Sequence, residues 1–164
     1  MFSVSFSIKF GEFKTEGTET MNNKNPLDTQ MMNEKLKGDT FPEMEEGFLD
    51  DDIRAFFDEL LYETGQKKSE IIQKSNISRT YGYQLMEGRR KGKRDYYILI
   101  AIAMGLDLKT TQRMLAVTHC GGLHSLIKRD AAIIFAINHQ YDIPKTYDFM
   151  SELDLEPLDD GSEM

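Results

Sequence analysis

The chain has 164 residues, is 40% hydrophobic and carries a formal net charge of −8. That is enough apolar material for one well-buried core, so the length argues for one globular domain with tails. A single cysteine, Cys120, excludes an internal disulfide. The opening MFSVSFSIKF has no basic start followed by an apolar run, so the expected location is cytoplasmic. The longest apolar stretch, Tyr96 to Leu106, is about half of a bilayer span, and no membrane partner is expected.

The charge is unevenly placed. Residues 64–95 hold nine basic and three acidic groups, against six and fifteen before them and five and ten after. Local field matters more than the total when a protein meets a polyanion, so this middle segment is where a nucleic-acid partner is sought.

Residues 1–48 are rich in Glu, Thr, Asn, Lys and Gly and show no sustained period of 2 or 3.6, which predicts a poorly ordered N-terminal tail. Met21 begins a stretch, MNNKNP, that also reads as a start. From Ile53 the pattern changes. Ile53, Phe56, Phe57, Leu60 and Leu61 share one helical face, and the acidic run Asp50 to Asp52 suits a positive helix N-terminus. Gly65 stops this first helix, and Lys67 to Ser75 forms a short second one with Ile71 and Ile72 inward. Asn76 suits the left-handed position that closes a helix, Ile77 packs back, and Ser78 is a good N-cap for a third helix over Arg79 to Glu87.

Gly88 ends that helix, and Arg89 to Arg94 reads as a basic loop. Asp95 opens a fourth, apolar helix through Met104, closed by Gly105. Asp107 caps a fifth carrying Leu108, Thr111, Met114, Leu115 and Val117. After a break at Gly121 and Gly122, Leu123 to Asn138 reads as an apolar sixth helix. Pro144 introduces a seventh with Tyr147, Met150 and Leu153, and an acidic tail follows. No strand pattern competes past residue 50. The expectation is an all-α fold: a five-helix bundle over 49–117, a helical extension packed on it over 118–155, and an acidic tail over 156–164.

Two short helices joined by a three-residue turn, the second with a serine cap and an Arg and Thr in its first turn, meet the demands of the DNA major groove. Lys67, Lys68, Arg89, Arg90, Lys91, Lys93 and Arg94 would reach phosphates on either side. Base edges need forked or planar hydrogen-bonding groups, which Arg79, Thr80 and Gln84 supply, with Ser78 at the cap and Tyr81 beside them. Gly82, inside the third helix, fits a close approach of the two short helices or, alternatively, a weakened recognition helix in a degenerate domain kept for protein contacts. The run GQKKSEIIQKSNISRTYGYQLMEGRRKGKRDYYILIAIAMGLDL resembles the Cro and phage-repressor type of helix-turn-helix, the xenobiotic-response-element family of transcriptional regulators. The resemblance covers about residues 52–117. It implies that Lys68 touches phosphate at the entry of the first short helix. Arg79, Thr80 and Gln84 would read bases, and Gly88 to Lys91 would be the family's closing glycine and basic loop.

Blander readings stand beside these. A charge run such as Arg89 to Arg94 is often an ordinary solvated loop. Tyr81, Tyr83, Tyr96 and Tyr97 sit at helical spacing, as packing residues do, and of these only Tyr81 is kept as a contact. His119, Cys120 and His124 lack a fourth ligand at zinc spacing, so no metal or other cofactor is expected. Lys128, Arg129 and Asp130 read as a solvent face or as ion pairs across a dimer. Ala131 to Ile137 is apolar nearly all round, fitting a core helix or a homodimer interface. No catalytic set appears, so no enzyme is expected. The sequence thus points to a DNA-binding regulator whose partner is double-stranded DNA. The alternative is a protein-interaction adaptor, antitoxin-like, with a protein partner on the same scaffold.

Overall fold

The computed structural model describes residues 29–42 and 52–162. The chain divides into two compact units, residues 1–48 and 49–164. In the first, helix α1 (Thr29–Lys35) runs where the sequence predicts an unordered tail, and Lys37 pairs with Glu34 at 2.6 Å just after it. Residues 1–28 and 43–48 of that predicted tail, Met21 among them, lie outside the described residues, as do Asp50, Asp51 and the last two residues.

The described part of the second unit is all-helical: α2 (Ile53–Thr64), α3 (Lys68–Lys74), α4 (Arg79–Met86), α5 (Arg94–Met104), α6 (Leu108–Val117), α7 (Lys128–Asn138) and α8 (Ile143–Glu152). These seven correspond to the seven helices expected from the sequence, and no strand occurs among the described residues.

Local chemistry sets most of the boundaries. Asp52 caps α2 by accepting the Ala55 N–H at 3.1 Å, and Gly65 ends it in the left-handed conformation. Phe56, Phe57 and Leu60 are buried, as their spacing predicts. Asn76 takes φ 63°, which turns the chain between α3 and α4 and drops Ile77 into the core. Helix α5 is the centre of the unit. Every side chain from Tyr97 to Ala101 is fully buried, so it is covered all round rather than along one stripe. It packs on α3, α6 and α8, while α2 packs on α4 and α6.

The predicted sixth helix is shorter than its apolar run. It begins at Lys128, because the residues before it are held in a different shape. The Gln112 side-chain amide donates to the Leu123 carbonyl at 2.7 Å and accepts the Leu123 N–H at 2.8 Å. The buried Asp130 carboxylate accepts the His124 N–H at 2.9 Å. Leu123 therefore enters the core from an extended segment, while Leu126 and Ile127 stay exposed.

Lys128, Arg129 and Asp130 do not form a solvent face. Asp130 is 1% exposed and takes a two-pronged bond from Arg94, at 3.1 and 2.8 Å. Arg129 in turn makes a two-pronged bond to Asp95, at 3.2 and 2.7 Å. These are crossed, intramolecular pairs between the first turns of α5 and α7. They arise from one tripeptide used twice, Lys93-Arg94-Asp95 and Lys128-Arg129-Asp130.

The correspondence runs on through both hairpins at a constant spacing. Gly105 and Gln140 both close the first helix at positive φ. Asp107 and Asp142 both cap the second, accepting N–H groups at 2.7 and 2.9 Å. Thr111 and Thr146, both fully buried, donate back to the cap carbonyls at 2.8 and 2.7 Å. His119 and Asp154 both take φ 54° just after that helix, and Leu123 and Leu158 both bury their side chains. Residues 93–127 and 128–162 are thus two renderings of one helical hairpin, related by a reciprocal ion-pair crossing.

Candidate nucleic-acid interface

The turn between α3 and α4 is tight because Gly82 lets it be. A Cβ built at Gly82 falls 3.0 Å from Ile72 Cγ1 and 2.7 Å from Cγ2, the latter closer than real Cβ atoms essentially ever come. Ile72 is branched at Cβ and buried, so it cannot swing away. The close approach expected of the two short helices is therefore made backbone to side chain. Ser75, also buried, donates its hydroxyl to the Ile72 carbonyl at 2.8 Å and finishes α3.

Helix α4 then presents its first turn outward. Ser78, Arg79 and Thr80 are exposed, and Gln84 is half-buried one turn on. Ser78 stands at the N-cap as predicted, but its side chain makes no capping hydrogen bond. Arg79 has no acidic partner among the described residues. Tyr81 is half-buried: its ring meets Tyr96 edge-on at 5.1 Å, and the Arg90 guanidinium lies over it, 5.0 Å from the centroid. The tyrosine thus holds Arg90 against the flank of α4.

The predicted phosphate-binding residues divide by what they touch. Lys67 is exposed and lies 3.9 Å from Glu70, while Lys68 lies 3.6 Å from Asp58. Lys91 is exposed and has no ion pair among the described residues. Arg89 folds back onto Glu87 and holds that carboxyl below the usual range. The Gln84 carbonyl accepts the Arg89 and Arg90 N–H groups at 2.9 and 3.2 Å, fixing the loop after α4. Lys93 donates to Asp159 at 2.8 Å, which raises the ammonium pKa and lowers that of the carboxyl.

Arg94 is a correction. It is the first residue of α5 rather than the last of a loop, and its guanidinium is spent on Asp130 and on the Gly122 carbonyl at 3.3 Å. A buried carboxylate left without that partner would be costly, so Arg94 belongs to the fold. The acidic stretch predicted as a tail also contributes. Leu158 is buried, and the Pro157 and Glu156 carbonyls accept from Arg129 at 2.9 and 3.1 Å. The Asp159 N–H reaches Asp95 at 3.0 Å. Sequence reasoning missed Asp130 as the partner of Arg94, Asp95 as the partner of Arg129 and Asp159 as the partner of Lys93; the repeated Lys-Arg-Asp tripeptide was the signal that could have found the first two.

Among the described residues no group of His, Cys, Asp and Glu is arranged to hold a metal, and no helix is long and apolar enough to cross a membrane. No family model, curated protein or solved structure matches this chain.

Proposed function

We propose that this chain is a cytoplasmic, sequence-specific DNA-binding regulator that sets α4 into the major groove and acts by occupying an operator. What supports the reading is the first turn of α4. Ser78, Arg79 and Thr80 stand exposed together, with Arg79 unpaired among the described residues, on a helix held rigidly against α3 by the Gly82–Ile72 contact. The groove admits one helix, and a forked guanidinium there pairs with a guanine edge. Lys67, Arg90 and Lys91 flank that turn as phosphate contacts, and Lys68 and Arg89 join them by exchanging the Asp58 and Glu87 carboxylates for phosphate. Each of those pairs keeps one exposed partner and is weak enough to be exchanged.

The test is a pair of variants assayed on several duplex sequences. Arg79→Ala should cost about 1–3 kcal/mol on the preferred site and flatten its preference, whereas Arg90→Ala should weaken all sequences alike. Equal losses on every sequence for both variants would remove the base-reading role.

One observation favours a second reading, a protein-interaction adaptor of antitoxin-like type. Phe135 is 41% exposed on α7 and stacks with His139 at 3.8 Å and with Phe149 at 5.0 Å, an aromatic patch on the far hairpin. The same patch would serve a homodimer through the C-terminal helices. Salt separates the readings, because phosphate binding falls steeply with ionic strength and an apolar protein interface does not.

A further inference from the structure

The repeated hairpin separates what the C-terminal segment does for the fold from what it does beyond it. After α6, the Gly122 carbonyl accepts from Arg94, Leu123 is buried, and the His124 N–H bonds Asp130. After α8, the Pro157 carbonyl accepts from Arg129, Leu158 is buried, and the Asp159 N–H bonds Asp95. The architectural work of both segments is therefore done by backbone groups and one buried leucine.

The Asp159 carboxylate is outside that work. Its counterpart in the first hairpin is His124, an exposed ring that accepts the Leu126 N–H at 3.2 Å. Asp159 instead takes the Lys93 ammonium at 2.8 Å and the Gly161 N–H at 2.9 Å. The lysine matching Lys93 in the second hairpin, Lys128, has no carboxylate partner among the described residues and donates to the Leu153 carbonyl at 3.3 Å. An acid has thus been set on one of two equivalent lysines, the one that belongs to the basic loop beside α4.

The segment also continues to the flank of α4. Gly161, at φ 79°, lies flush under Tyr96; a Cβ there would sit 2.9 Å from the Tyr96 hydroxyl oxygen. Tyr96 meets Tyr81, and Tyr81 carries Arg90. The chain of contacts runs from the acidic segment to the residues beside the base-reading turn.

We propose that residues 156–162 form a built-in competitor for DNA phosphate, with the Asp159 carboxylate occupying the Lys93 ammonium and the neighbouring acids repelling the DNA backbone. The inference rests on the DNA-binding reading of α4. Lys93 and Asp159 have side chains 73% and 39% exposed, so the pair is weak and yields to a polyanion. It acts on the sequence-independent part of the affinity, which comes from phosphates, and leaves base reading by Arg79 and Thr80 unchanged. The effect is to lower the affinity for all sequences alike, so that the binding which remains depends more on base reading at working salt.

The experiment measures binding of the full chain to a short random-sequence duplex over a series of salt concentrations. The proteins are the wild type, Asp159→Asn, Lys93→Ala and the double variant. The Asp159→Asn change keeps the backbone N–H on Asp95 and leaves Leu158 in place, so wild-type thermal unfolding serves as the check that the segment is still docked. Asp159→Asn should bind roughly three- to tenfold tighter at low salt, with a salt slope steeper by about one phosphate contact. Adding Lys93→Ala should abolish that gain. If Asp159→Asn matches a DNA-binding wild type in affinity and slope, or if the gain survives without Lys93, the competitor is overturned while the reading of α4 stands. If the wild type binds no duplex at any salt, both fall.

Discussion

The two hairpins, 93–127 and 128–162, share a skeleton and differ in what surrounds them. In both, an Arg and an Asp open the first helix, an Asp caps the second, a buried Thr locks that cap, and a leucine returns to the core. Yet α5 is covered on every side, with Ile100 and Met104 buried, whereas Phe135 and His139 at the matching places of α7 lie exposed. The residues the two hairpins keep in common are the ones whose hydrogen bonds define the hairpin. At these differing positions the side chain is buried in one hairpin and exposed in the other. The comparison therefore sorts frame from surface without any relative to consult.

The crossing of ion pairs is the strongest element of the frame, and breaking it should give the largest effect. Asp130→Ala strands the partly buried Arg94 and frees the His124 N–H, so a loss of about 3–5 kcal/mol in urea denaturation is expected. Replacing Arg94 and Asp130 together with Met and Leu should recover most of that loss, since no charge is left unpaired. An Asp130→Ala chain as stable as the wild type would show that the crossing does not hold the hairpins together.

Gly82→Ala comes next and sharpens the contrast between the helix-turn-helix pair and the hairpins. In an ordinary helix interior this change stabilises by up to about 1 kcal/mol. Here the new methyl meets Ile72, and a loss of about 1–3 kcal/mol is expected instead. Ile72→Ala in the same chain should cost less than it does in the wild type, because the two changes relieve each other. Additive losses would mean that the close approach of α3 and α4 is not what excludes a side chain at position 82.

Thr111→Val and Thr146→Val probe the equivalence of the hairpins directly. Each removes one buried hydroxyl bonded to a cap carbonyl, and each should cost about 1 kcal/mol. A marked inequality would break the correspondence at that position.

The smallest effect is alkaline. Burial pushes the Tyr147 phenol up to about 12, and its hydroxyl donates to the Leu158 carbonyl at 3.3 Å, where the first hairpin has Gln112. An unfolded tyrosine ionises near pH 10, so the neutral native phenol contributes stability that is complete below about pH 10 and is lost as pH rises toward 12. Tyr147→Phe should flatten the fall of the urea midpoint over that window, leaving the part due to partly buried Tyr96 and buried Tyr97. An unchanged alkaline slope would assign the effect to other groups.

Helices α2 to α6 and α8 were legible in the sequence because their ends carry the punctuation that physics demands: Asp52, Asp107 and Asp142 at the starts, Gly65, Asn76 and Gly105 at the ends. The start of α7 was not. Leu123, Leu126 and Ile127 look helical by hydrophobicity, and only the amide of Gln112, eleven residues away, holds Leu123 extended. Helix α1 was missed because Thr29–Lys35 is short and polar, with no repeating apolar face. Of the candidate site, the exposed turn of α4 and the loop at Arg90 and Lys91 lie where the sequence puts them. The commitment of Arg94 to Asp130 was marked only by the repeated Lys-Arg-Asp tripeptide, and that of Lys93 to Asp159 was hidden, since a charge paired over a long separation reads the same in sequence as one facing solvent.

The central claim is that α4 reads bases, and the most direct measurement is selection of the purified chain on a randomised duplex pool, sequenced at two salt concentrations. An enriched motif that survives the higher salt is the predicted result, and it would be palindromic with half-sites about 34 Å apart if two copies bind. Salt-sensitive binding with no motif would contradict base reading by Arg79 and Thr80, and the absence of binding would contradict the DNA-binding role itself.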